Sequence, residues 1–167
     1  MKYFTNRSQL ARMDFHTKLI MTFFLVLMLV ATGVSVLMSY QRTKLTATGA
    51  AEYYQGAEER LVFAKELPEL METSHYHLFM MPLVFVTTGH LFLLSAWGRR
   101  SKTFVISSCF AYIVLDIAKP WLIRYGGDPF AALAPFNSAL LGITMLLCIL
   151  VPIYEMWFLR VDLNARN

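Results

Sequence analysis

A chain of 167 residues that is 57% hydrophobic and 16% charged is more apolar than a soluble domain of its size, where about 45–50% and about 25% are usual. Its formal charge of +4 is dispersed along the chain between apolar blocks, which argues against a nucleic-acid partner and for a lipid bilayer. Cys109 and Cys148 lie inside apolar runs with no C-x-x-C or C-x-x-C-H, so neither a zinc ribbon nor a c-type haem is written, and both read as small apolar residues.

The first apolar block, Leu19–Met38, holds no charge. About 20 such residues cross a hydrocarbon core of about 30 Å. The block is longer than a signal-peptide core and ends in SVLMSYQRTK without an A-x-A site, so it reads as a retained anchor. Segment 41–74 follows, too short for a separate domain but long enough for a cap or a docking surface. Pro68 suits a first helical turn, and Glu69 and Glu72 suit the positive end of that helix. The second helix is therefore expected to begin near Pro68 and run into the second span, 78–97, whose one titratable group is His90.

The third span, 103–123, contains Asp116, Lys119 and Pro120. Asp116 and Lys119, three apart, share a helix face and are expected to pair. Pro120 cannot bond the Asp116 carbonyl, so the helix is expected to bend or end there. After the turn residues GGDP, Pro135 opens the fourth span, 135–159, whose one ionisable group is Glu155. Glu155 reads as a side chain reaching the near membrane surface. The fold class is all-α: a single integral membrane domain, an antiparallel four-helix bundle. Small residues four apart, Ala31/Ser35, Ser107/Ala111 and Ser138/Gly142, are candidate points of close helix contact.

Orientation follows from the basic residues. Lys2, Arg7, Arg12, Lys18, Arg99, Arg100, Lys102, Arg160 and Arg166 lie on one side, with only Asp14 and Asp162 beside them. The other side has Arg42, Lys44, Arg60, Lys65 and Arg124 against seven acids. The positive-inside rule puts both termini and the 98–102 loop in the cytoplasm, and 41–74 outside.

The histidines are the candidate ligands. His75, His77 and His90 share one helix, and His16 stands at the start of the first span. On a helix His75 and His90 differ by about 60° in direction and about 22 Å in height, so both are expected to face the bundle interior as an outer and an inner site. His77 points about 140° from His90. His90, nine residues before Arg99, is placed about 13 Å from the cytoplasmic edge. This placement is analogous to b-type membrane cytochromes, where one helix carries histidines to two stacked haems. The implied cofactor is haem b, bound by His75, His77, His90 and His16, with Lys119 and Arg124 receiving propionates. Spans three and four hold no histidine, so a bis-histidine pair is not plainly written. Alternatively His75, His77 and His90 bind a metal through neutral imidazoles.

The stretches ELMETSHYHLFMMPLVFVTTGHLFLL, LDIAKPWLIRYG and PIYEMWF, within about residues 69–157, resemble a family of small four-helix bacterial inner-membrane proteins. The resemblance implies a multi-pass protein of the bacterial inner (cytoplasmic) membrane. Two functions compete. One is membrane electron transfer beside a quinone-linked respiratory complex, with outer-side redox subunits as partners. The other is a non-catalytic accessory or assembly subunit of a larger membrane complex, which also admits a homo-oligomer. A transporter lined by Asp116, Lys119, His90 and Glu155 ranks third, because no inverted repeat is visible. No hydrolase, Walker or Rossmann motif appears, so independent catalysis is not expected.

Overall fold

The computed structural model describes residues 9–159. Lys2, Arg7, Arg160, Asp162 and Arg166 of the charge argument lie outside the described residues. The helices are α1 (Phe15–Thr43), α2 (Ala47–Gln55), α3 (Leu67–Leu93), α4 (Arg99–Gly126) and α5 (Leu133–Trp157). α1, α3, α4 and α5, the last extended back to Asp128, are long and apolar enough to cross a membrane.

Helix starts follow local chemistry. Asp14 caps α1, its carboxylate accepting from the Thr17 N–H at 3.1 Å and from the Thr17 hydroxyl at 2.5 Å. α3 begins where its sequence implies: Pro68 lies in the first turn, and Glu66 and Glu69 form a reciprocal capping box. Its other end differs from expectation. α3 stops at Leu93, well before Arg99, because residues 94–98 turn back toward α4. α4 does not end at Pro120 but runs through it to Gly126. Proline removes one backbone bond there. The buried face of Ile113, Asp116, Pro120 and Ile123 keeps the helix continuous.

α3, α4 and α5 pack on one another, with Phe85, Phe92, Val105, Cys109, Ile113 and Cys148 as their shared core. Lipid tails are as apolar as these side chains, so close packing must hold the helices together. Gly89 marks a close approach of α3 to α4: a Cβ there would come 2.9 Å from Ile106 Cδ1. The small-residue pairs do not play that role. Ala31, Ser35, Ser107 and Ala111 are exposed, and a Cβ on Gly142 would meet nothing within 4 Å. Spacing alone does not say which face of an apolar helix meets another helix.

α1 lies along α5 and under α2, and Leu25 is its one buried residue. Leu10, Leu25, Leu91, Ile149 and Met156 join it to the bundle, and Trp157 Nε1 donates to Thr22 Oγ1 at 2.9 Å. α2 covers the opposite end through Ala50, Ile123, Ala131 and Ala134, with Gln55 Nε2 donating to the Ile123 carbonyl at 3.1 Å. The segment between α1 and α3 is thus a cap. Gly56, at φ 92°, makes its sharp turn, where a Cβ would meet Ala64 N at 2.8 Å.

Candidate functional site

Ionisable groups inside a membrane bundle are costly unless partnered. The described residues gather theirs at the two ends of the α3–α4–α5 core.

At the α2 end the centre is Asp116, 6% exposed. The Lys119 ammonium donates to its Oδ1 at 2.5 Å and to Ser138 Oγ at 3.2 Å, so the expected pairing forms and α5 joins it. Asn137, fully buried on α5, donates through Nδ2 to Asp116 Oδ1 at 3.2 Å and to the Tyr112 carbonyl at 3.1 Å. From α3, His77 Nδ1 stands 3.4 Å from Asp116 Oδ2. Trp121 Nε1 donates to Ser74 Oγ at 2.7 Å, a second polar link between α3 and α4. Above the cluster, burial pushes the Tyr54 phenol of α2 up from its ordinary value. Lys65, before α3, is also raised, by its hydrogen bond to the Glu69 carboxylate.

The other end uses different partners. Glu155 is 4% exposed and accepts the Ala96 N–H at 2.9 and 2.7 Å on its two oxygens. It is therefore buried instead of extending into solvent, and it binds the turn that closes α3. Lys102, 9% exposed, donates to the Leu93 carbonyl at 2.8 Å and the Ser95 carbonyl at 2.6 Å. An ammonium on the last carbonyls of α3 also complements the negative end of that helix.

The histidines do not converge. His16, His75 and His90 are exposed. His16 stacks edge-on with Phe15 at 5.8 Å between centroids, and His75 lies 4.9 Å from the Phe79 ring. His90 stands in the last turn of α3, so the helix does not continue from it to Arg99 as the expected depth assumed. The shared interior direction expected for His75 and His90 fails because both open outward. Lys119 is engaged by Asp116 and Ser138, and Arg124 Nε donates to the Lys65 carbonyl at 2.9 Å. Within this chain these residues do not fit a haem, since no two imidazoles share one space between helices. Nor do His75, His77 and His90 make a metal set: no group of three or more His, Cys, Asp or Glu is placed for one among the described residues.

Asn137 and Lys102 are the site residues that sequence reading passed over. Asn137 carried a signal, an amide inside an apolar run. Lys102 carried none, because beside Arg99 and Arg100 it resembles any loop cation.

Four long apolar helices whose buried charges are met from within define a multi-span membrane domain. The chain belongs to the Aq_1264_TM family, a transmembrane helical domain whose profile matches residues 44–163. That match begins at the residue following α1. No curated protein and no solved structure matches the chain.

Proposed function

We propose that this protein is a non-catalytic accessory or assembly subunit of a larger complex in the bacterial inner membrane, with residues 41–66 outside and the 94–98 turn in the cytoplasm. One observation carries the reading. Asp116, Lys119, Glu155 and Lys102 are all engaged within the bundle, while α1 presents Phe23, Leu27, Val30 and Val34 outward. A transporter needs such charges along a route, and here they fasten helices and a turn. The test is a photo-crosslinking amino acid at Phe23 or Leu27 in living cells, read by mass spectrometry. A discrete adduct with another membrane protein is expected; adducts with lipid alone count against the proposal. For orientation, cysteine at Gln55 should react with an impermeant maleimide in spheroplasts, and cysteine at Ser101 should not.

Electron transfer beside a quinone-linked complex is the second reading, favoured by the outward exposure of His75 and His90 on α3. A haem b ligated there would need its other axial ligand from a neighbouring subunit. A reduced-minus-oxidised spectrum of the native assembly decides it: a b-type α-band lost in His75→Leu or His90→Leu supports haem, and no band removes it.

A further inference from the structure

An open groove of about 460 Å³ lies at the start of α4, between that helix and α5. Trp97, Arg100 and Ser101 line it at the helix end, and Phe104, Val105 and Leu147 line it further along the span. Arg100 and Phe104 are one turn apart, so the polar rim and the apolar wall are about 6 Å apart along the axis. The rim keeps a charge that nothing offsets. Arg99 and Arg100 are exposed, and among the described residues neither side chain has an ion pair or a hydrogen bond. The described carboxylates at this end are already engaged, Glu155 by the Ala96 N–H and Asp14 by Thr17. Lys102 is turned to the Leu93 and Ser95 carbonyls, so Arg100 is the cation that faces the groove. The first turn of α4 holds no acid, and cations at the positive end of a helix favour an anion beside them.

A cationic rim above an apolar wall, at the end of a membrane span, suits an amphiphile with an anionic head. We propose that this groove binds one anionic phospholipid, its phosphate at Arg100 and Ser101 and its acyl chain along Phe104, Val105 and Leu147. A guanidinium gives a phosphate two parallel N–H donors, and a serine hydroxyl adds a third. The Trp97 indole stands at the same rim, where an aromatic N–H meets the headgroup layer. Basic pockets between spanning helices hold lipid heads in this way. The apolar wall decides for a lipid over a free phosphate. Phe104 is 70% exposed and Leu147 half-buried, surfaces that an acyl chain covers and a hydrated ion does not. The charge decides between lipids: a zwitterionic head brings its own ammonium toward Arg100, and an anionic one does not. The groove is built on α4 and α5, and the α1 face proposed to meet another subunit has no part in it.

The experiment uses the full chain, delipidated in mild detergent and titrated with phosphatidylglycerol or with phosphatidylethanolamine of the same acyl chains, read by native mass spectrometry. One phosphatidylglycerol per chain is expected, held about fivefold more tightly than phosphatidylethanolamine. Inorganic phosphate in large excess should not displace it. Arg100→Gln should remove most of the preference, and this exposed side chain has no contact whose loss would unfold the bundle. Arg12→Gln removes an exposed cation of the same end from outside the groove and should leave the preference standing. Leu147→Phe fills the apolar part while keeping every charge, and should weaken phosphatidylglycerol binding. Equal affinity for the two lipids overturns the site, as does an equal loss in Arg12→Gln and Arg100→Gln. Displacement by inorganic phosphate, or unchanged binding in Leu147→Phe, overturns it too. None of these results depends on whether the protein is an accessory subunit.

Discussion

The two ends of the bundle each bury a carboxylate and an ammonium, yet they neutralise them in opposite ways. At the α2 end the charges meet each other, Lys119 on Asp116, with Asn137 and His77 gathered around them. At the other end Glu155 and Lys102 both bind backbone, one taking the Ala96 N–H and the other giving to the Leu93 and Ser95 carbonyls. The first arrangement fastens helices to one another. The second fastens a turn, whose polar groups would otherwise face the apolar core unpaired. A side-chain pair is replaceable by another pair of matching shape, whereas a charge that satisfies backbone has no substitute when removed. The two ends should therefore respond differently to mutation.

The largest effect is expected at the turn. Glu155→Leu strips the Ala96 N–H of its acceptor and leaves Lys102 without the nearby carboxylate, and should cost about 3–5 kcal/mol. Denaturant unfolding in mixed micelles checks this, and a loss under about 1 kcal/mol would show that the turn holds without it. Next comes the pair at the α2 end. Asp116→Asn and Lys119→Gln should each destabilise by about 2–3 kcal/mol, and the double change by clearly less than their sum. Strict additivity would erase the contrast between the ends. Lys102→Met keeps the apolar stem and removes both carbonyl contacts, so about 1–2 kcal/mol should be lost. Hydrogen exchange should then rise at the last turn of α3 before it rises elsewhere.

The smallest effect concerns Asp14, exposed at the start of α1 and outside both clusters. The Thr17 side chain, then its backbone N–H, hold the Asp14 carboxyl below its usual value of 3.8. A depressed carboxylate contributes above its unfolded value and loses that contribution as pH falls through the folded one. Amide exchange at Thr17 and Lys18 should therefore accelerate, after correction for intrinsic rates, only when the pH drops below 3.8. The α3–α5 contacts should not change over the same range. Asp14→Asn, which still caps, should remove the pH dependence while leaving α1 in place.

Much of this architecture is set by local rules. The four spans, the Asp14 cap, the start of α3 at Pro68 and the Asp116–Lys119 pair each follow from residues within a turn or two of one another. Such features depend on chain chemistry that is the same wherever the helix is placed. Which side of α3 faces inward was decided only by the tertiary fold. His75 and His90 open outward, and Phe85, Thr88, Gly89 and Phe92 turn inward, yet both faces are largely apolar. A soluble helix shows its buried face by contrast with a polar one, and a helix between lipid and protein lacks that contrast. The end of α3 at Leu93, the capture of Ala96 by Glu155 and the burial of Lys102 depend on α5 and α4 arriving beside one turn. Those partners are 59 and 7 residues away in the chain from the groups they satisfy, and only packing brings them together.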